Sequence, residues 1–295
     1  MTPDRPATPL AAFARLPRPY RDRHIVRSTV DAFGRAHWLL TDGPPESRGK
    51  EPYDTVVVTV GDGRPQETHL SPVQGKFPRF DALPDGGFVV AETRSGVHEE
   101  HAQVFDALGR LSWTFRVGDG IEHLLADEAG DLWVGYFDEG VYGDDELSWP
   151  GLRRWSHTGE PLWAYHPEDG GGTISDCYAL NVSGRSAWAC AYTDFSLLEI
   201  GPDRGVRPHA NQVRGANGLA VHDGRVTFFG GYVNDHDRLV IGELTDTGVT
   251  AVAERRLVRP DGTGLGPRRL VCRGPRIYVQ EDPFTEWTVL DISTR

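Results

Sequence analysis

Within this chain His123 is the side chain best fitted to move a proton near neutral pH, because only an imidazole titrates there without special tuning. Glu122 beside it and the more distant Asp176 are the carboxylates that would orient it or balance its charge. Arg27 and Arg79 add permanent cations whose planar donors suit an anionic substrate group. A hydrolase or a lyase is compatible with such a set. These residues share a register as well as a chemistry. Counting back seven positions from six recurrent glycines (Gly34, Gly86, Gly130, Gly184, Gly224, Gly274) gives Arg27, Arg79, His123, Cys177, Asn217 and Pro267. Their neighbours add Glu122, Asp176 and Arg268. The plainer reading of the same polar positions is that they hydrate the mouth of a channel.

The shared register implies a repeated element that places each residue. Every anchor glycine precedes a short apolar run: His37-Trp38-Leu39-Leu40, Phe88-Val89-Val90, Leu132-Trp133-Val134, Ala187-Trp188-Ala189, Val226-Thr227-Phe228-Phe229 and Ile277-Tyr278-Val279. The five intervals from Gly34 to Gly274 average 48 residues, close to the span of a four-stranded propeller blade. Strand, glycine turn and buried strand make half a blade, and each small sheet buries its faces only against its neighbours. The expected fold is therefore all-β, a single six-bladed β-propeller over residues 24–295. Residues 1–23, rich in Pro and Arg, form a tail and closure segment, part of which joins the last blade as an edge strand. That blade lacks a fourth strand of its own, and closure removes exposed edges.

Composition fits this reading. The 295 residues hold 35 Gly and 21 Pro, as many turns require, and 38% are hydrophobic. A net charge of −12 repels nucleic acid and anionic membrane, so neither is an expected partner. Three cysteines without CxxC spacing, and an N-terminus without an apolar core, point to the cytoplasm and to no disulfide framework.

A second set of residues follows the second strands: Asp42, Glu92, Asp138, Asp194, Asp235 and Glu281. As a ring on one face they would attract a basic protein segment, which is the rival reading of the chain as a non-catalytic scaffold. Phe137, Tyr192 and Tyr232 stand near that ring, and Tyr192 joins the substrate-binding set as part of an aromatic wall. The run His98-Glu99-Glu100-His101 lacks the i, i+4 histidine spacing of a zinc helix. Residues 169–173 (DGGGT) lack the Lys-Ser/Thr of a phosphate loop.

Residues 126–135 (ADEAGDLWVG) and 217–229 (NGLAVHDGRVTFF) resemble six-bladed propellers of the NHL, two-component-regulator and gluconolactonase/regucalcin kind. Residues 136–140 (YFDEG) and 176–181 (DCYALN) resemble bacterial propellers. In gluconolactonase-like proteins an Asn-Gly-Leu/Ile-Ala segment supplies an asparagine to a central divalent cation, and Asn217 matches that position. The family's glutamate and aspartate ligands have no counterpart, since Arg27 and Pro267 or Arg268 stand there. The resemblance thus implies architecture more firmly than lactone hydrolysis. A calcium ion at the mouth would take Asn217 and Asp176 among its ligands, because hard cations prefer carboxylate and amide oxygens. Arg27 and Arg79 oppose it and favour an anion.

Overall fold

A computed structural model describes residues 5–45, 51–61 and 63–294. The expected connection over residues 41–52 lies partly outside these. Among the described residues nearly all regular structure is β-strand, with one four-residue α-helix. Two short strands open the chain, β1 (Ala7–Pro9) and β2 (Ala11–Arg15). Beyond them contacts divide the chain into two compact units, the first comprising Ala14–His166 with Ile174–Cys177 and the second Met1–Phe13, Pro167–Thr173 and Tyr178–Arg295.

The first unit holds three sheets, each a four-stranded antiparallel meander in sequence order. The first is β3 (His24–Val30), β4 (Ala36–Thr41), β5 (Tyr53–Val60) and β6 (Gln66–Val73). Next come β7 (Pro78–Ala82), β8 (Phe88–Glu92), β9 (Ala102–Phe105) and β10 (Leu111–Phe115). The third is β11 (Ile121–Ala126), β12 (Leu132–Tyr136), β13 (Leu152–Trp155) and β14 (Pro161–Ala164), with helix α1 (Asp138–Val141) after β12.

A local turn chemistry recurs here. Asp31, Asp106 and Asp127 each accept two backbone N–H groups with one carboxylate oxygen, two and four residues on, at 2.8–3.0 Å. Ser156 does the same through its hydroxyl. The fourth residue is then a glycine at positive φ (Gly34 77°, Gly109 77°, Gly130 92°, Gly159 90°), where a Cβ would be strained. The spacing Asp/Ser-x-x-Gly-x was therefore readable as a hairpin code beyond the single anchor glycines.

Apolar residues fill the spaces between neighbouring sheets. Leu39, Val57, Phe80, Val90 and Phe105 join the first two sheets, and Leu83, Val104, Leu124, Val134 and Trp155 the second and third. Buried Asp81 on β7 ties all three together, accepting Thr29 Oγ1 from β3 at 3.2 Å and Ala126 N–H from β11 at 2.6 Å.

The strands of the second unit belong to two sheets, one of eight strands and one of five. Strand β15 (Asp176–Ser183), whose first two residues belong to the first unit, precedes β16 (Ser186–Tyr192), β17 (Leu197–Ile200) and β18 (Val206–His209). Then follow β19 (Gly218–His222), β20 (Arg225–Phe229), β21 (Arg238–Leu244) and β22 (Val249–Val258). The last are β23 (Arg268–Arg273), β24 (Arg276–Glu281) and β25 (Glu286–Asp291). Strand β2 lies beside β25, with Phe13 and Tyr278 ring centroids 4.7 Å apart. Strand β1, not expected from the sequence, adds in parallel to β22. Asn181, buried on β15, repeats the role of Asp81. Its amide donates to Leu219 O at 2.7 Å and Gly274 O at 2.9 Å and accepts Gly274 N–H at 2.7 Å, tying β15, β19 and the β23–β24 hairpin.

All six anchor glycines lie in the hairpin after the first strand of an antiparallel meander, and all have positive φ (49–92°). Strands β6 and β18 were not read from the sequence. Both are short of apolar residues and carry a proline, because they are outer strands with one face to solvent.

Candidate functional site

Five of the sequence-selected residues come from first-strand starts in the first unit: Arg27 on β3, Arg79 on β7, Glu122 and His123 on β11, and Asp176 opening β15. Two of these strands are irregular at that end. In β11 the register moves from Ile121↔Tyr136 to His123↔Gly135, so Glu122 is an extra, bulged residue. In β3 the same slip makes Val26 the extra residue beside Arg27. A bulge re-aims its side chain and frees a carbonyl. Both results are used by Arg79, which donates through Nε to Ile121 O at 2.9 Å and through Nη2 to Glu122 Oε2 at 2.9 Å. Arg79 is mostly buried in this contact and Glu122 is not, at 16% and 41% side-chain exposure.

His123 sits behind this pair. Its Nε2 is 3.0 Å from Cys177 O, and since a carbonyl only accepts, that nitrogen carries the proton. The ring and Cys177 pack over Gly135 on β12, where an added Cβ would stand 2.7 Å from Cys177 Sγ and 3.3 Å from His123 Cδ2. A glycine at that strand position is thus what lets the chain around Asp176 come down onto β11 and β12. One residue before Asp176, Ser175 Oγ meets Tyr142 Oη at 2.6 Å, which ties the same segment to the end of α1.

Half-buried Asp176 has the most functional electrostatics in the group. Burial, then the nearby carboxylates of Glu122 and Asp138, push its carboxyl up to about 7. It is therefore half protonated near neutral pH, next to a carboxylate paired with an arginine. That arrangement offers a proton donor and acceptors in one place, which is the requirement of general acid–base chemistry.

Tyr192, Asn217 and Arg268 belong to the second unit. Tyr192 ends β16 and stacks on Tyr178 with centroids 5.7 Å apart and planes 14° apart. Phe195 stands edge-on to both, and Tyr232 packs edge-on to Tyr178 and Phe195. The guanidinium of Arg214 lies 5.2 Å above Phe195. Tyr178 and Phe195 were missed in the sequence, though Tyr178 is two residues past Asp176 and so shares its strand face. Arg268 lies over the Phe229 ring at 5.1 Å and donates to His236 O at 3.1 Å.

Asn217 fastens locally, its N–H bonded to Phe229 O at 2.9 Å and its amide oxygen against Gly230. Among the described residues no group of three or more His, Cys, Asp and Glu side chains stands close enough to hold a metal.

The acidic set is largely engaged. Glu92 accepts the N–H groups of Lys76, Phe77 and Thr93. Asp235 pairs with Arg5 at 2.7 Å and Glu281 with Arg259 at 2.8 Å. His101 bonds the Glu99 carbonyl at 2.9 Å as a turn contact. Two clefts lie elsewhere. One of about 710 Å³ is bordered by Arg35, Thr59 and Gln66 in the first unit, and one of about 420 Å³ lies on the second. Neither includes Asp176. The polar cluster is favoured as the site because it sets a carboxyl pushed up to about 7 beside a carboxylate paired with an arginine.

No protein-family model matches this chain, and no curated protein matches it. Similar solved structures include Hsv2 of Kluyveromyces lactis, at 10% identity over 91% of this chain and 73% of that one, with a TM-score of 0.54. The β-propeller domain of Cps50 (Swd1) of Myceliophteria thermophila is similar at 12% identity over 91% and 83%, with a TM-score of 0.49. Virginiamycin B lyase of Staphylococcus aureus is similar at 12% identity over 95% and 98%, with a TM-score of 0.48. These likenesses concern the fold alone. No helix among the described residues is long and apolar enough to cross a membrane.

Proposed function

We propose that this chain is a six-bladed β-propeller that binds a small anionic molecule and transforms it by proton transfer, as a hydrolase or lyase does. The count of six rests on the glycine-anchored hairpins. Residues 1–23 act as the closing segment, supported by the place of β2 beside β25. The observation that carries the chemistry is Asp176, whose carboxyl is pushed up to about 7 by burial and by Glu122 and Asp138.

In this reading the neutral Asp176 carboxyl donates a proton to the leaving atom. Glu122, steadied by Arg79, or Asp138 accepts one from water or from a substrate carbon. His123 takes a different role from the one its residue type suggested. With Nε2–H given to Cys177 O, it holds Asp176 in place. Arg27 and Arg79 hold the anionic group in this reading. The scaffold reading loses support from the local pairing of Glu92, Asp235 and Glu281.

The test is a thermal-shift screen of small carboxylates and phosphate esters, followed by turnover of any that raise the melting point. A true ligand stabilises the folded state by mass action. Asp176→Ala and Asp176→Asn should each abolish turnover, and wild type should show a pH–rate limb near 7. Ligand binding and turnover unchanged in both variants would remove the proposal.

A further inference from the structure

The cleft of about 420 Å³ on the second unit is lined from two neighbouring sheets and lies outside everything assigned above. Its floor is buried and mostly apolar. Leu239 and Leu290 are each 1% exposed, Ile292 is 7% exposed, and Thr227 brings the floor's one polar side chain. The wall beside Ile241 owes its shape to a register slip. Ile241 pairs with Ala253 and Gly242 with Ala251, so Val252 is an extra residue on β22. That bulge turns Val252 toward the cleft and leaves it 52% exposed, an unusual position for a valine on a ten-residue strand.

The charges at the rim are unequal. Arg225 and Glu243 are direct cross-strand partners on β20 and β21, so they offset one another. Arg255, opposite Leu239 on β22, makes no ion pair among the described residues and supplies the surplus positive charge. An apolar cleft with a single uncompensated guanidinium at its edge matches a ligand with an apolar body and one anionic head. The volume falls within the range of small-molecule sites.

We propose that this cleft binds a medium-chain carboxylate, its hydrocarbon tail against Leu239, Val252, Leu290 and Ile292 and its head group on Arg255. The site needs no residue of the Asp176 cluster, so its failure and the failure of the proton-transfer reading are separable. The experiment is calorimetric titration of the full chain with decanoate, with decanol as the neutral control. Wild type should bind decanoate with a Kd below about 1 mM, and decanol more weakly. Arg255→Ala should weaken decanoate about tenfold, the loss of a charge-assisted contact. Val252→Trp should abolish binding by filling the cleft. Both positions are exposed, and circular dichroism checks that each variant is folded. Absence of decanoate binding at about 1 mM, equal binding by Val252→Trp, or decanol binding as tightly as decanoate would each overturn the proposal.

Discussion

Replacing Asp176 by asparagine should make the protein more stable above neutral pH while costing it its activity. In the folded chain burial first, and Glu122 and Asp138 second, raise this carboxyl from 3.8 to about 7. The unfolded chain gives up the proton near pH 4, whereas the folded chain keeps it to about 7. Between those limits the folded state binds more protons, so stability falls as pH rises, and the whole penalty is present above 7. About three decades of proton affinity correspond to roughly 4 kcal/mol. Asp176 is partly exposed, and solvent screening reduces this to about 1–2 kcal/mol. For a chain of this size that is about 2–6 °C in melting temperature. Asparagine keeps the shape and cannot ionise. Melts of both proteins from pH 4 to pH 9 should coincide at the acid end and separate through neutrality, with Asp176→Asn the more stable. Parallel curves would refute the assignment. Glu122→Gln should show an intermediate gap. If it matched Asp176→Asn, charge repulsion and not burial would be the leading cause.

Gly135→Ala should lower turnover without large loss of fold, because the added methyl meets Cys177 and His123 and displaces Asp176 from its setting; the pH–rate profile checks this by moving its limb away from 7. Arg154 is buried between Asp127 (3.2 Å) and Asp131 (2.7 Å), so Arg154→Ala strands a buried carboxylate and should cost about 3–5 kcal/mol in denaturant melts. Asn181→Ala removes three buried hydrogen bonds that join three strands, and about 2–4 kcal/mol should be lost by the same assay. A loss below about 1 kcal/mol would mean that water replaces the amide.

The repeat was legible because hairpin chemistry is local. A glycine that must take positive φ and an apolar run after it are both set within ten residues of chain. Gly34, Gly86, Gly130, Gly184, Gly224 and Gly274 could therefore be found without knowing any partner strand, and the first strands followed from them. The choice of Arg79, Glu122, His123 and Asp176 followed too, since equal register puts these residues at the same ends of successive strands. Their surroundings did not follow. Residue type favoured His123 as the proton carrier, but a hydrogen bond to Cys177 O, 54 positions away, occupies its Nε2. Residue type made Asp176 an ordinary carboxylate, and only burial with Glu122 and Asp138 beside it turned it into a group that titrates near 7. The slips that bulge Glu122 and Val252 were equally invisible, because a bulge is a mismatch between two strands and neither strand carries it alone. Desolvation, pairing and register are properties of what the folded chain brings together, and those were decided by the tertiary structure.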